Sequence, residues 1–248
     1  MAVTIQPPER KLMLMPVALC QERFAAFGDV IENPAPDLVP NPLLQELPKG
    51  AVLGNQGSAL VYADISKSTN LYGSAPSRQP SKHAIRMFCC APRTLLPIPD
   101  ESLNGLLEVV ILERHPYTSQ TFIPLGLAAS NTNETRYLVI VAPTLPPSPL
   151  DEELPVPNGK GSRGSGLPDI TKINAFVVNG SQAVTYRAGT WHAPMIVIGK
   201  KPINFVVIQS VNGVDLEDCQ EAEWKAENGS EIVVAIPKVV RNHGLWKL

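Results

Sequence analysis

An all-β fold, an antiparallel barrel or sandwich with a few flanking helices, is what this sequence predicts, and two observations carry the prediction. Seven short runs between residues 106 and 210 are rich in Val, Ile and aromatic side chains. Gly, Pro, Asn and Ser separate them, which is the punctuation of short strands joined by turns. In chain order, "VALCQERFAAFGDVIE" (17–32) comes first: Leu19, Phe24 and Phe27 share a helical face, and Gly28 ends it before the strand-like "DVIE". The strand candidates follow as "LLEVVIL" (106–112), "QTFIPL" (120–125), "YLVIVA" (137–142), "NAFVV" (174–178), "QAVTY" (182–186), "MIVIG" (195–199) and "INFVVIQS" (203–210).

Between the third and fourth of these, residues 143–169 hold seven prolines and four glycines and show no apolar period. Such a segment is expected to be a passive loop between two strands, because it offers little apolar surface to offset its ordering entropy. It is not a domain boundary. With no internal repeat of 20 to 50 residues in sight, the 248 residues read as one domain, 1–248, carrying this loop insert.

Composition narrows the function classes. Lys and Arg number 21 against 23 Asp and Glu, a net charge of -2, which gives no electrostatic footprint for nucleic acid or an anionic membrane. The N-terminal "MAVTIQPPERKLMLMPVALC" is interrupted by prolines and charges, and no segment reaches the apolar length of a membrane span. A cytoplasmic protein is expected. Cys20, Cys89, Cys90 and Cys219 form no C-x-x-C pair, so neither disulfides nor thiolate zinc is expected. The terminal "WKL" resembles a peroxisomal address, but Trp246 stands where a small residue belongs.

Chemistry concentrates in two segments. In "ERHPYTSQ", Glu113 and His115 are two apart and so project to one face of a strand. Pro116 and the hydroxyl residues after it suit a reversal that returns Gln120 beside His115 on the adjacent strand. In "GTWHAPMIVIG", His192 sits between Trp191 and Ala193-Pro194. The E-x-H-x4-Q spacing, with Gly126 after it, is similar to the first cupin motif, and "GSQAVTYRAGTWHAPMI" is similar to the second through Gly180, Gly189 and His192. Glu113, Gln120 and Ile196 depart from the usual His, Glu and Asn, which implies an altered metal site. Glu113, His115, Gln120 and His192 offer a mixed oxygen and nitrogen set for nickel, manganese or zinc. The same four groups suit hydrogen bonding to a substrate without an ion, and both readings stay open here.

Six blocks carry a more specific likeness: "LCQERFAAFGDVIE", "NQGSA" (55–59), "LERHPYTSQTFIPLG", "YLVIVA", "PDITKINAFVVNGSQAVTYRAGTWHAPMIVIG" and "INFVVIQSVNGVDLEDC". In this order, over most of the chain, they resemble the fungal branch of the ureidoglycolate lyases, formerly called ureidoglycolate hydrolases, of allantoin and purine degradation. The resemblance implies a cupin-type β-barrel, a homodimer, and cleavage of ureidoglycolate to glyoxylate and urea. Two departures stand out: the 143–169 insert is longer than the family leads one to expect, and Cys89 stands where several relatives carry Arg, leaving Arg86 or Arg93 as the nearby cation.

Ureidoglycolate is a hemiaminal, so breaking its C–N bond needs a base for the hydroxyl proton and an acid for the departing urea nitrogen. Glu113, His115 and His192 are the expected catalytic residues, since two imidazoles titrate near neutrality and a carboxylate can orient one of them. Asn55, Gln56 and Gly57 are candidates for the substrate carboxylate, as the matching family block suggests. Gln120 adds an amide, while Tyr186 and Trp191 would wall the pocket with a hydroxyl and an indole N–H. Two alternatives use the same residues: a metal-dependent cupin oxygenase or isomerase, and a non-catalytic cupin that binds a small ureido acid.

Overall fold

The computed structural model describes residues 2–127, 136–159, 161–226 and 231–238. The terminal Trp-Lys-Leu lies outside them. The fold is nearly all strand, as expected. The central sheet runs Val3–Thr4, Gln220–Glu223, Ile111–Arg114, Trp191–His192, Tyr137–Ala142, Asn174–Val178 and Val17–Ala18, and Ile196–Val197 also pairs with Tyr137–Ala142. A five-stranded antiparallel sheet follows the order Gly28–Ile31, Ala183–Tyr186, Gln120–Pro124, Ile203–Val211 and Lys82–Cys90. A third sheet combines Leu12–Leu14, Ile232–Pro237 and Leu103–Val109, and Ala51–Gly54 pairs with Ala59–Tyr62 as a separate hairpin. Among the described residues, hydrogen bonding divides the strands into these sheets and does not join them into one closed ring.

Alternation along Tyr137–Ala142 shows how the layers stack. Tyr137, Val139 and Val141 pack with Phe122, Val184, Phe205 and Val207 of the five-stranded sheet. Leu138, Ile140 and Ala142 point the other way, onto Leu107, Val109, Ile232 and Val234 of the third sheet. Because successive side chains of a strand face opposite sides, a strand buried on both faces reads as an unbroken apolar run, which is the sequence "YLVIVA". The central sheet is therefore the middle of three layers.

The early helix is one turn, Gln21–Phe24, and Leu19, Phe24 and Phe27 enter the core between the first two layers. Gly28 then begins the strand under Thr185, where a Cβ would come within 1.8 Å of the Thr185 carbonyl oxygen. The close approach needs glycine for this packing reason. A second turn of helix, Asp215–Asp218, precedes the strand Gln220–Glu223.

The 143–169 insert is not passive. Its described residues form no strand, yet the Leu145 amide donates to the Leu167 carbonyl and the Asp169 amide to the Pro143 carbonyl, closing its two ends on each other. Ser148 and Asp151 cap a short turn reciprocally, and Leu154 and Leu167 are buried in the core below the central sheet. At Gly166 a Cβ would lie 1.7 Å from the Leu145 carbonyl oxygen, so the two arms touch backbone to backbone. Prolines and glycines here shape a packed path; composition alone gave no sign of it.

Candidate active site

Cross-strand register brings the polar residues together. Glu113 pairs with His192 on one side and Glu221 on the other, so the three share one face of the central sheet. That face looks toward the five-stranded sheet, because His192 stacks on Tyr186 with ring centroids 4.0 Å apart and planes at 14°. On the five-stranded sheet Tyr186 pairs with Gln120, and Gln120 with Gln209. The chain does not return Gln120 to the strand beside His115, as the reversal in "HPYTSQ" suggested. Residues 116–119 cross from the central sheet to the facing one, so Gln120 meets the site from the opposite wall.

The side chains of Glu113, His115 and His192 converge, with a potential ligand atom of each within 4.8 Å of the others. The His115 and His192 rings lie 5.5 Å apart. Backbone carbonyls fix both rings: His115 Nδ1 is 2.6 Å from the Asp218 oxygen and His192 Nδ1 is 2.9 Å from the Thr190 oxygen. A carbonyl only accepts, so each Nδ1 donates its proton and each Nε2 is left facing the pocket. His192 Nε2 faces Glu113 Oε1 at 3.5 Å. Both Nε2 atoms and Gln120 Oε1 are buried without a hydrogen-bond partner, while Gln120 Nε2 donates to Gln209 Oε1 at 2.5 Å. Buried acceptors are normally satisfied, so three orphans around one spot mark a place built for something else to bind.

Electrostatics sort the groups. Burial, and then the neighbouring His192, hold the His115 pKa below its ordinary value, so the ring stays neutral. Burial alone would raise the Glu113 pKa, but the facing His192 imidazole and then His115 outweigh that and lower it. Glu113 is therefore an anion. Burial and then the Glu113 charge push the Tyr186 phenol far above its usual range, keeping it a neutral donor. Cys219 lies beside Glu113 and Glu221 and is pushed up to about 12 by burial and then by these acids, so it remains a thiol and not a nucleophile.

Other expected site residues lie elsewhere. Trp191 precedes His192 and thus points to the far face of the central sheet, where its indole N–H donates to the Gly166 carbonyl at 3.0 Å. Asn55, Gln56 and Gly57 form a turn at the tip of the Ala51–Tyr62 hairpin, with Asn55 and Gln56 exposed and Gly57 packed on Pro42. Among the described residues no hydrogen bond ties them to Glu113, His115 or His192. Sequence reasoning missed Gln209 and Glu221; period-two alternation in "INFVVIQS" and "QEAE" was the available signal, since each places a polar group on the inner face. It also missed Arg114, whose guanidinium is fully buried on the far face, 4.5 Å over the Trp191 ring.

The set has the donors for a divalent ion: His115 Nε2, His192 Nε2 and the Glu113 carboxylate, with the orphaned Gln120 Oε1 on the facing wall. Without an ion, it has two imidazoles, an anionic carboxylate and amide and phenol donors. That is an acid–base pocket for a small polar molecule.

Comparison with known proteins agrees. A family model described as ureidoglycolate lyase matches residues 11–230. A ureidoglycolate lyase of Schizosaccharomyces pombe is 34% identical over 203 residues, covering 82% of this chain and 87% of that protein. One of Saccharomyces cerevisiae is 33% identical over 186 residues, 74% of this chain and 77% of its own. A bacterial one, from Burkholderia mallei, is 28% identical over 212 residues, 85% and 91% of the two chains. With its family model spanning most of the sequence and both site segments inside the match, the chain belongs to the ureidoglycolate lyase family.

Proposed function

We propose that the chain is a ureidoglycolate lyase, cleaving ureidoglycolate to glyoxylate and urea in allantoin and purine catabolism. One observation carries this reading: Glu113, His115 and His192 meet with both Nε2 atoms unpartnered. Neutral His115 accepts the hydroxyl proton of the hemiaminal at Nε2 as the carbonyl of glyoxylate forms. The electron pair of the breaking C–N bond passes to the urea nitrogen, which is protonated from His192. For this step His192 enters with both nitrogens protonated, Nδ1–H on the Thr190 carbonyl and Nε2–H toward Glu113 Oε1 at 3.5 Å, and is left as the neutral ring when the urea departs. Tyr186 stacks on His192 and fixes the plane of its ring, and Gln120 offers Oε1 to a substrate N–H.

A divalent ion (nickel, manganese or zinc) held by His115, His192 and Glu113, with Gln120, is part of the proposal. When bound it supplies Lewis acidity to the substrate's hydroxyl and carboxylate oxygens. Ion and proton compete for the same Nε2 lone pairs, so activity before and after chelation separates the two modes.

Urea and glyoxylate measured together on ureidoglycolate test the assignment. Equal yields support it; ammonia released in step with glyoxylate, or oxygen consumption, overturns it. The proposal includes a homodimer, supported by the outer edge of Lys82–Cys90, which is unpaired among the described residues, with Ile85 74% and Met87 54% exposed. Sedimentation velocity at micromolar concentration checks this. It also includes a cytoplasmic location, for which the four free cysteines speak, and small-molecule chemistry without nucleic acid or membrane. No helix among the described residues is long and apolar enough to cross a membrane.

A further inference from the structure

Between the hairpin Ala51–Tyr62 and the strand Lys82–Cys90 runs "TNLYGSAPSRQ", residues 69–79, which joins none of the four sheets and holds one short turn, Tyr72–Ser74. Its composition is that of a surface loop, yet Tyr72 and Ala75 are buried with Tyr117, and the Tyr72 ring stacks on Tyr117 with centroids 5.5 Å apart. The stretch grips the crossing that leaves His115 for the facing sheet. The Leu71 amide donates to the Tyr117 carbonyl at 2.7 Å and the Ser119 amide to the Thr69 carbonyl at 3.1 Å, while the Thr69 amide donates to Ser119 Oγ at 2.8 Å.

The same stretch grips the helical turn Asp215–Asp218. The Tyr72 hydroxyl donates to Asp218 Oδ1 at 2.6 Å, and the Asn212 and Gly213 amides donate to the same carboxylate at 2.8 Å each. Ser77 adds its amide and hydroxyl to the neighbouring Glu217 carboxylate at 2.8 and 2.6 Å. Of the three donors to Asp218, two belong to the loop that leads into its own turn and move with it; only the Tyr72 hydroxyl comes from a distant part of the chain. The two gripped places are the two ends of one hydrogen bond, His115 Nδ1 to the Asp218 carbonyl at 2.6 Å. A neutral imidazole carries one N–H, and a carbonyl held against Nδ1 keeps it there. If that carbonyl swings away, the proton is free to sit on Nε2, and the atom facing the pocket changes from acceptor to donor.

We propose that Tyr72 is a positioning residue for the reaction: through the Asp218 carboxylate it holds the Asp218 carbonyl on His115 Nδ1, and so keeps His115 Nε2 open to accept a proton. Among the described residues the Tyr72 hydroxyl bonds to Asp218 and the Ser210 carbonyl and to no catalytic side chain, so its effect passes entirely through the turn. The kinetic consequence rests on the lyase reading; the tie between Tyr72 and His115 does not.

Two readouts on the full chain test this: steady-state kinetics on ureidoglycolate, and the exchange of the His115 Nδ1 proton with water by NMR, the signal being assigned by its loss in His115→Ala. Exchange reports the hydrogen bond to Asp218 whether or not an ion sits at Nε2. Tyr72→Phe keeps the ring on Tyr117 and removes only the hydroxyl. It should speed exchange about tenfold and lower kcat about tenfold, the worth of one hydrogen bond to a carboxylate. KM should stay within about threefold, because no substrate contact is lost. Asp218→Ala should lower kcat by about a hundredfold, and adding Tyr72→Phe to it should change either readout by less than about twofold, since the two groups act in series. Asp218→Asn, which keeps the side chain's shape, falls between the two single variants and serves where Asp218→Ala does not fold. Val233→Ala, a truncation in the separate buried cluster with Leu106 and Ala235, lowers the thermal midpoint and moves neither readout. Exchange and kcat within about twofold of wild type in Tyr72→Phe overturn the positioning role and leave the lyase reading intact. Losses that multiply in the double variant also overturn it, because Tyr72 then acts by another route. A wild type that releases no urea, with exchange still faster in Tyr72→Phe, overturns the lyase reading and keeps the tie.

Discussion

The strands Ile111–Arg114 and Trp191–His192 run side by side and present two faces of opposite character. The inner face offers Glu113 and His192, next to His115, with both imidazole Nε2 atoms unpartnered. The outer face offers Arg114 and Trp191, whose own donors are satisfied. Arg114 donates to Gln220 Oε1 and to the carbonyls of Gly164, Ser165 and Gly166 at 2.8–3.1 Å, and its guanidinium covers the Trp191 ring. Trp191 in turn donates to the same Gly166 carbonyl. One residue's step along a strand thus separates a surface left incomplete from one that is saturated. The lesson is a division of labour: polar groups held unsatisfied for a ligand cost stability, and the saturated side of the same strands holds them at fixed spacing.

The largest expected effect strikes the saturated face. Arg114→Met leaves the Gly164 and Ser165 carbonyls and Gln220 Oε1 without their donor and should cost about 3–5 kcal/mol of stability, the range for removing one partner of a buried charged network. Urea denaturation measures it. Deleting 146–166 through a short Gly-Ser link strips the same contacts and should destabilise comparably; a composition-based reading of that loop as passive expects no change. If either variant unfolds at the wild-type midpoint, the outer face is not the support described.

Next comes the inner face. Replacing His115 or His192 by Ala should lower kcat by about a hundredfold or more, the range for losing general acid–base catalysis, with thermal midpoints close to wild type. Because groups acting as a unit lose little more on a second removal, the double replacement should be scarcely worse than either single one. Multiplicative losses mean the two histidines do not act on one bound substrate, and the contrast between the faces collapses.

A smaller effect is expected in pH. The His115 pKa lies below its ordinary 6.5 because burial disfavours the charged ring. As pH falls, the ring stays neutral past the point where a free imidazole would take up a proton. The acid limb of kcat/KM should accordingly lie below about 6.5 and vanish in His115→Ala. A limb above that value shows that a different base, or a metal-bound group, controls the reaction. The smallest effect is that of Trp191→Phe, which keeps the ring under Arg114 but loses one hydrogen bond to Gly166. It should cost about 1 kcal/mol of stability and leave KM within about twofold; a large rise in KM returns Trp191 to the substrate pocket.

Burial explains what was legible. "YLVIVA" and "NAFVV" are strands at their expected bounds because both are packed and carry strong apolar signals. "KHAIRMFCC" went unread as the nine-residue strand Lys82–Cys90, since an edge strand exposed on both faces has no apolar period to show. Glu113 and His115 could be paired from their spacing, but not the crossing that carries Gln120 to the opposite sheet, which depends on where the core lies. The insert was illegible for a different reason. Its partners are backbone carbonyls, which every residue possesses, so no pattern of side chains announces that Arg114 will bind them.

The carbonyls of Asp218 and Thr190, which take the Nδ1 protons of His115 and His192, tie the direction of both rings to the course of the main chain. A histidine oriented by an aspartate loses its orientation to one missense mutation. Here the orienting atom belongs to the main chain, and any residue that preserves the local path delivers it. The side chains at 190 and 218 hold that path, Thr190 Oγ1 donating to the Phe27 carbonyl and the Asp218 carboxylate accepting from Tyr72, Asn212 and Gly213, so a substitution there reaches the imidazoles only through the backbone. Substitutions that harm the chemistry should cluster at the three catalytic side chains and at residues that set the chain's course, such as Gly189, with φ of +75°.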